Sequence, residues 1–303
     1  MHEGVIRALR GEPTEFHWRF LTALLTPLAL IYTAGLKAYL LQYRIGLRKR
    51  RRLGCVVVSV GNLASGGTGK TGMVLALTRV LTEAGLRCCI LSRGYRGAQE
   101  SSVAVVSDGD RVVLGPQEAG DEACLLARSL SGTPVLVGRD RRRSGQLALD
   151  RFSPDVIVLD DGMQYYQLHR DVEITLLDSV RPFGNGLTLP AGILREPPGH
   201  LRRSDWVVMS GPSHHEDDRP ELLRRVERCA GHAHIARGAY RPVSITLLAN
   251  GARVALSALK QRPVATLCGL GTPSVFEDTV VSLGTLLVHR TRFPDHHVPQ
   301  SAE

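Results

Sequence analysis

One segment of the sequence has the residue types, in the right order, to bind the phosphates of a nucleotide. A β-branched run at residues 56–60 leads into a glycine-rich loop, and two polar residues follow at once. Glycines let backbone N–H groups approach phosphate oxygens, a lysine contacts the outer phosphates, and a threonine hydroxyl binds Mg²⁺. We therefore expect a phosphate-binding loop formed by Gly66, Gly67, Thr68, Gly69, Lys70 and Thr71.

This loop departs from the usual motif at one position, where Ala64 replaces a glycine. The alternative interpretation is a glycine-rich turn that happens to precede a lysine. The strand pattern before the loop and the helix pattern after it favour phosphate binding, because the start of a helix attracts anions.

A second candidate site is a pair of acids, Asp160 and Asp161, directly after the apolar run 156–159. Carboxylates at the end of a buried strand can hold Mg²⁺ beside a phosphate-binding loop. The alternative is an Asx turn that ends the strand. The loop upstream favours a site for magnesium and phosphate.

These residues need a scaffold, and the pattern from residue 54 onwards supplies one. Short apolar runs alternate with helical patterns, which is typical of an α/β fold with a parallel sheet covered by helices. In such sheets, ligands bind at the carboxyl ends of the strands. We predict strands at 55–60, 87–91, 103–106, 134–137, 155–159, 173–177 and 206–209, and helices at 71–84 and 118–129.

The chain is predicted to have three parts. Residues 1–52 form an N-terminal helix and a basic cluster, and residues 53–210 form the domain with the phosphate-binding loop. Polar residues at 210–220 mark a boundary, and residues 211–303 are expected to form a smaller α/β domain.

The N-terminal part contains an almost wholly apolar run at 20–41, followed by a basic cluster at 44–52. As a helix the run would be about 33 Å long, which matches the core of a bilayer. Pro27 is expected to interrupt it. Two interpretations are possible. One is a membrane anchor on the cytoplasmic side, and the other is a buried core helix followed by a solvated charge run. The length of the run and the adjoining charge favour the membrane anchor.

Charge and cysteines limit the function further. The first 52 residues contain ten Lys/Arg and three Asp/Glu, a net charge of +7 out of +9 for the whole chain. The basic character is therefore local, and we expect no nucleic-acid partner. The six cysteines show no metal-ligand spacing, which predicts reduced, mostly buried thiols in a cytosolic compartment.

Six motifs follow one another along the chain: Ser59-Val-Gly-Asn with the phosphate-binding loop, Ser92-Arg-Gly-Tyr, Gly120-Asp-Glu, Leu159-Asp-Asp-Gly-Met-Gln, Leu189-Pro-Ala-Gly with Leu-Arg-Glu196, and Phe293-Pro-Asp-His-His. In this order they resemble the tetraacyldisaccharide 4′-kinase family, the membrane-bound lipid A kinases of Gram-negative bacteria. The resemblance covers nearly the whole chain.

The resemblance implies a P-loop NTPase-like fold and a kinase that uses ATP and Mg²⁺. Its substrate would be the 4′-hydroxyl of a tetraacylated glucosamine disaccharide 1-phosphate, the lipid A precursor. It also implies a monomer at the cytoplasmic face of the bacterial inner membrane. Two alternatives remain: a catalytically impaired homologue that binds lipid or nucleotide, and a membrane-associated regulatory ATPase. Ser65 stands where such ATPases carry a signature lysine.

The resemblance also implies roles for individual residues. Asp121 would accept the proton of the sugar hydroxyl, paired with His296 or His297, and Arg195 would stabilise the charge on the moving phosphoryl group. The metal would lie among Thr71, Asp160, Asp161 and Glu196. Contacts to substrate are expected from Ser92, Arg93, Tyr95 and Gln164.

Three features differ from the family pattern. Gly72 follows the loop where proline is usual, and the segment after Asp161 has Met163 and Tyr165 where an aromatic residue and a histidine are common. The family normally continues for some tens of residues beyond the Asp-His-His motif, whereas this sequence ends at Glu303. Either the C-terminus is shortened or the gene model is truncated, and the small domain is then expected to lack an element.

Overall fold

The computed structural model describes residues 2–12, 14–212, 220–270 and 273–293. The chain divides into two compact units. The first contains Met1–Met209 with Arg219–Ala236, and the second contains Ser210–Asp218 with Arg237–Glu303.

An eight-stranded sheet, in the order β3-β4-β2-β5-β1-β6-β7-β8, organises the first unit. Strand β1 lies at its centre and pairs in parallel with β5 and β6, while β2 pairs in parallel with β4 and β5. Edge strand β3 is antiparallel to β4. The strands are β1 Val56–Asn62, β2 Cys88–Ser92, β3 Ala104–Ser107, β4 Val135–Val137, β5 Val156–Asp160, β6 Val172–Asp178, β7 Trp206–Pro212 and β8 His234–Tyr240.

Helices cover both faces of this sheet, as the sequence predicts. Ile157 packs in a core cluster with Ala148 of one helix, whereas its neighbour Val158 packs with Val74 of another. Alternate side chains of a strand point to opposite faces, so both faces are buried. The helices of the first unit are α1 His2–Leu9, α2 Phe16–Arg44, α3 Lys70–Glu83, α4 Pro116–Ala119, α5 Asp121–Ser129, α6 Arg141–Phe152, the 3₁₀ helix Pro198–Arg203 and α7 Pro220–Ala230.

The described part of the second unit contains two small sheets. Strands β11 and β12 pair in parallel, and β9 pairs with β10 in an antiparallel ladder. Beyond residue 263 the elements follow in the order strand–helix–strand. The elements are β9 Ile245–Thr246, β10 Arg253–Val254, the 3₁₀ helix Leu256–Leu259, β11 Pro263–Cys268, α8 Pro273–Ser282 and β12 Leu286–Arg292.

Two local predictions were wrong. Residues 118–129 form two helices rather than one, because Gly120 has a φ of +83° and interrupts the helical backbone. Helix α2 continues through Pro27, although an interruption was expected there. A proline removes one backbone hydrogen bond, and the turns on either side of it keep theirs.

Helix α7 lies beyond the predicted boundary at 210. Helix α7 packs Val226 and Ala230 into a core cluster with Leu201 and Val207 of the first unit. Contact density therefore places residues 219–236 with the first unit. The division of the chain into three domains stays a prediction.

Helix α2 is long and apolar, but it is hardly covered by the rest of the chain. Of its 29 residues, all of which the structure describes, only Ala29 is buried. By length and composition it is the one helix in the described residues that could cross a membrane. Its exposure disfavours the buried core helix considered above. The exposed side chains include Phe16, Phe20, Leu24, Leu28, Leu30, Ile31 and Leu41.

The close approach of β1 to the segment after β5 generates a stability prediction. A Cβ at Gly61 would lie 2.4 Å from the Cβ of Met163 and 2.8 Å from its backbone nitrogen. We expect Gly61→Ala to destabilise the protein by about 1–3 kcal/mol, since the backbone must shift. Thermal melting measures this, with Gly54→Ala as control because a Cβ there meets nothing within 4 Å. Equal melting temperatures of the two variants would contradict the packing described.

Candidate active site

The phosphate-binding loop connects β1 to α3 as the sequence predicts. Gly69 takes the N-cap position with a φ of +79°, and Lys70 is the first helical residue. The side chain of Asn62, at the end of β1, fixes the loop: its Nδ2 donates to Thr68 Oγ1 at 2.9 Å and to the Gly66 carbonyl at 3.4 Å. The loop therefore faces the start of a helix, where backbone N–H groups are available to an anion.

Asp161 lies opposite this loop and faces two cations. Its carboxylate accepts hydrogen bonds from Arg195 at 2.8 and 2.9 Å, and it lies 3.8 Å from the Lys70 ammonium. Burial alone would raise the pKa of Asp161, but Lys70 and Arg195 outweigh it and lower the pKa. Asp161 is therefore an anion that holds Lys70 and Arg195 together.

Asp160 has a different environment, although it is the adjacent residue. It is buried at the end of β5 and accepts a hydrogen bond from Ser92 Oγ at 2.9 Å. Burial, reinforced by the nearby carboxylate of Glu122, raises the pKa of Asp160 to about 6. A buried carboxyl held this way gains stability from a cation placed beside it.

The loop that carries Arg195 and Glu196 is joined to the phosphate-binding loop by backbone hydrogen bonds. Ser65 N donates to the Ile193 carbonyl at 2.7 Å, and Arg195 N donates to the Leu63 carbonyl at 2.7 Å. The two loops therefore have a fixed register. This contact between distant parts of the chain explains why Arg195 reaches Asp161.

Glu196 is held by a separate set of partners. Its carboxylate is 1% exposed and lies 2.7 Å from both His200 Nδ1 and Arg203. Burial alone would raise its pKa, but the hydrogen bond from His200 and the charge of Arg203 lower it. The structure thus pairs Arg195 and Glu196 with different groups, although they are neighbours in sequence.

Gln164 connects these two sets. Its Nε2 donates to the Asn62 carbonyl at 3.0 Å and to Glu196 at 2.9 Å, while its Oε1 accepts from Arg195 at 3.3 Å. The side chain predicted to contact substrate therefore also bridges β1 to the Arg195 loop. Its role towards substrate stays a prediction.

The segment Ser92-Arg-Gly-Tyr packs against the start of α5, where Asp121 is the first helical residue and Gly120 the N-cap. A Cβ at Gly120 would lie 2.5 Å from the Tyr95 carbonyl. Arg93 pairs with Glu100 at 2.6 Å. The structure therefore brings Tyr95 and Asp121 into one region. The predicted partners His296 and His297 lie outside the described residues.

Arg141 is a site residue that the sequence analysis missed. Its side chain is buried, donates to the Asp160 carbonyl at 3.5 Å, and has an Nε without a hydrogen-bond partner in the described structure. It opens α6, shortly after β4. The available signal was a basic residue following the carboxyl end of a parallel strand, which is where ligands bind. His200 and Arg203 gave no such signal, because their role depends on tertiary contact with Glu196.

The predicted metal ligands are brought together in part. Within the described ranges no group of three or more His, Cys, Asp and Glu side chains forms a metal cluster. Asp160 and the hydroxyl of Thr71 are hard oxygen donors, which Mg²⁺ prefers, and Asp160 is buried on the strand next to the one that leads into the phosphate-binding loop. The donor set therefore fits Mg²⁺ with substrate phosphates as further ligands, whereas Glu196 is already paired with Arg203.

Comparison with known proteins decides the family. A family model described as tetraacyldisaccharide-1-P 4′-kinase (LpxK) matches residues 21–303. The chain belongs to this family. Tetraacyldisaccharide 4′-kinase of Syntrophus aciditrophicus is 40% identical in an alignment of 296 positions that covers 92% of this chain and 78% of that protein. The Geobacter sulfurreducens protein of the same name is 42% identical over 94% of this chain and 78% of its own length.

The fold agrees with that of a member of the LpxK family. LpxK from Aquifex aeolicus, whose crystal structure is in complex with ATP, superposes with a TM-score of 0.73 at 31% identity. The match covers 93% of this chain and 86% of that one. The α/β fold with a mostly parallel sheet is thereby confirmed, and so is the family that the motifs indicated.

The buried charge of Asp160 generates a prediction for the metal-free protein. Its folded pKa of about 6 lies above the ordinary value of 3.8, so its favourable contribution exists at low pH and is lost as the pH rises through about 6. We expect Asp160→Asn to raise the stability measured in EDTA at pH 7.5 by about 1–3 kcal/mol, and to give about a third of that gain at pH 4.5.

Thermal melting at the two pH values measures this gain. Asp155→Asn is the control of opposite sign, since Arg87 lowers the pKa of Asp155 to about 2 and the ionised form is the stabilising one. A loss of stability in Asp160→Asn at pH 7.5 would contradict the environment described for Asp160.

Proposed function

We propose that this chain transfers the γ-phosphoryl group of ATP to the 4′-hydroxyl of a tetraacylated glucosamine disaccharide 1-phosphate. The observation that carries the proposal is the meeting of Lys70, Asp161 and Arg195 in one site beside the phosphate-binding loop. This chain is a member of the kinase family, and Lys70 and Arg195 would supply the positive charge that phosphoryl transfer requires.

The loop residues and Lys70 would bind the phosphates of ATP. Asp160 and Thr71 would hold Mg²⁺, with Asp161 beside it, and the ion would supply neutralisation of phosphate charge. Arg195 is positioned by Asp161 and by Gln164, so its guanidinium is fixed before substrate arrives. A fixed cation stabilises charge that develops on the phosphoryl group without reorganisation.

Asp121 is proposed as the group that accepts the proton of the sugar hydroxyl, with His296 or His297 as its partner. The packing of Gly120 against Tyr95 supports a location for Asp121 near the Ser92–Tyr95 segment, which we propose contacts substrate. A carboxylate can serve as this base, because a loose transition state needs the proton removed late.

Two alternatives make different predictions. A regulatory ATPase would hydrolyse ATP without phosphorylating lipid, and an impaired homologue would bind nucleotide without turnover. The lysine typical of such ATPases is replaced by Ser65, and Lys70, Asp160 and Asp161 are all present. These features favour the kinase.

We propose that α2 binds the protein to the cytoplasmic face of the inner membrane. The apolar side chains of α2 are exposed, and a basic segment folds back at the end of the helix, where Arg48 N donates to the Gln42 carbonyl at 3.0 Å. Arg48 lies over the Tyr39 ring at 5.1 Å. A cavity of about 530 Å³ is lined there by Tyr43, Arg44, Gly46, Arg48, Lys49 and Arg50, with no carboxylate among them. Anionic headgroups suit such a surface.

Lys70 provides the first test of the kinase proposal. We expect Lys70→Ala to reduce transfer of labelled phosphate from ATP to a tetraacylated disaccharide 1-phosphate by at least about 100-fold, because an electrostatic contact to the outer phosphates is lost. Lys260→Ala, an exposed lysine of the second unit, is the control. Near-normal transfer by Lys70→Ala at saturating ATP, with an unchanged melting temperature, would rule the proposal out.

The basic segment after α2 provides a test of membrane binding. We expect Arg48→Gln with Arg50→Gln to weaken sedimentation with vesicles containing phosphatidylglycerol about 10- to 30-fold, at about 1 kcal/mol for each arginine. Binding to neutral phosphatidylcholine vesicles should change little. Arg143→Gln with Arg151→Gln on α6 changes the net charge equally and is the control; an equal loss in both double variants would show a general charge effect instead.

A further inference from the structure

Helix α2 contacts the loop that carries Arg195 through hydroxyl groups. Tyr32 Oη donates to the Arg195 carbonyl at 2.8 Å. The Thr33 and Thr188 hydroxyls lie 2.8 Å apart, and Thr188 Oγ1 also donates to the carbonyl of Ala29 at 3.2 Å. Ala29 is the one buried residue of α2, so the helix is seated on this loop at the turn that carries these contacts.

The backbone of Arg195 is held from two sides. Its N–H donates to the carbonyl of Leu63, shortly before the phosphate-binding loop, and its carbonyl accepts a hydrogen bond from the Tyr32 hydroxyl of α2. The guanidinium of the same residue forms the ion pair with Asp161. A shift of α2 along its axis therefore acts on the peptide groups flanking the side chain that faces the site.

The loop between these contacts is fixed by hydrogen bonds of its own. Asn185 Nδ2 donates to the Ala191 carbonyl at 2.7 Å, and Asn185 Oδ1 accepts from Leu187 N at 3.0 Å. A Cβ at Gly192 would lie 2.0 Å from the Leu187 carbonyl oxygen, so the chain is tightly folded at that point. Interactions that fix a short loop at several points leave it few alternative conformations.

We propose that Tyr32, supported by Thr33, is a positioning residue for phosphoryl transfer, in addition to any part that α2 takes in membrane binding. Tyr32 acts through Arg195: its hydroxyl sets the peptide group of Arg195, and with it the guanidinium that pairs with Asp161. The inference rests on the proposed kinase function. The exposed apolar helix α2 is then linked to the catalytic site by the hydrogen bond from Tyr32 to Arg195.

The variant Tyr32→Phe tests the link, because it removes the hydroxyl and keeps the ring. We expect kcat for lipid phosphorylation to fall about 3- to 10-fold, the effect of one lost hydrogen bond. Sedimentation with vesicles and KM for the lipid should stay unchanged. Thr22→Val on the same helix is the control, since the Thr22 hydroxyl donates to the Arg19 carbonyl within the helix at 2.8 Å and not to the Arg195 loop.

A double variant separates positioning from a general structural effect. If Tyr32 acts through the guanidinium of Arg195, then Tyr32→Phe should cause no further fall in kcat once Arg195→Ala is present. Additive losses in the double variant would overturn the proposal. So would an unchanged kcat in Tyr32→Phe, or a fall that follows a matching loss of vesicle binding.

Hydrogen exchange gives a readout that does not need activity. The amides of residues 188–196 should exchange faster in full-length Tyr32→Phe than in the wild type, and Thr22→Val should leave them unchanged. An absence of lipid phosphorylation by the wild type would defeat the proposed function, whereas unchanged exchange in the 188–196 loop would defeat the link to α2. The two failures are therefore distinguishable.

Discussion

The carboxylate of Asp161 is shared by Lys70 and Arg195, and the rest of the site depends on this arrangement. Lys70 comes from the phosphate-binding loop, and Arg195 comes from a loop more than a hundred residues later. Two like charges close together repel each other unless an anion lies between them. Asp161 therefore allows two cations to stand beside the place where the phosphates of ATP bind.

The neighbouring acid, Asp160, has the opposite electrostatic environment. Asp160 is buried with a pKa raised to about 6, whereas the pKa of Asp161 is lowered by its cations. Adjacent carboxyls with opposite shifts indicate different tasks: Asp161 pairs with the cations of the protein, and we propose that Asp160 favours a cation that arrives with the nucleotide. The stability gain expected for Asp160→Asn in the metal-free protein is what a site built for its loaded state predicts.

Much of this architecture follows from the sequence alone. The runs at residues 56–60 and 156–159 identify the strands, because both are apolar and end at residues that break the pattern. The glycine and lysine of the loop identify the phosphate site, since few other functions need that order. The strand ends then place Ser92 and Asp160 at the same edge, where the structure joins them by a hydrogen bond.

The remaining features depend on long-range contacts that no local pattern encodes. Arg195 and Glu196 are neighbours in sequence, yet Arg195 pairs with Asp161 and Glu196 pairs with Arg203. The backbone hydrogen bond from Arg195 to Leu63 fixes the loop, and with it the direction of each side chain. In the sequence, Tyr32 is one residue of an apolar helix with no sign of a function. Only the folded structure shows that its hydroxyl donates to the Arg195 carbonyl. The sequence did not predict the break at Gly120, because the helical spacing of the side chains continues past this residue. The helical backbone itself is interrupted there.

The most direct test of the account is the chemical identity of the product. Full-length protein incubated with ATP, Mg²⁺ and a tetraacylated disaccharide 1-phosphate in detergent micelles should form ADP and a lipid bisphosphate in equal amounts. Phosphorus–proton correlation NMR should join the new phosphate to the proton at the 4′ carbon of the sugar. ADP with free phosphate and no lipid bisphosphate would contradict the account, and so would a new phosphate at any other sugar position.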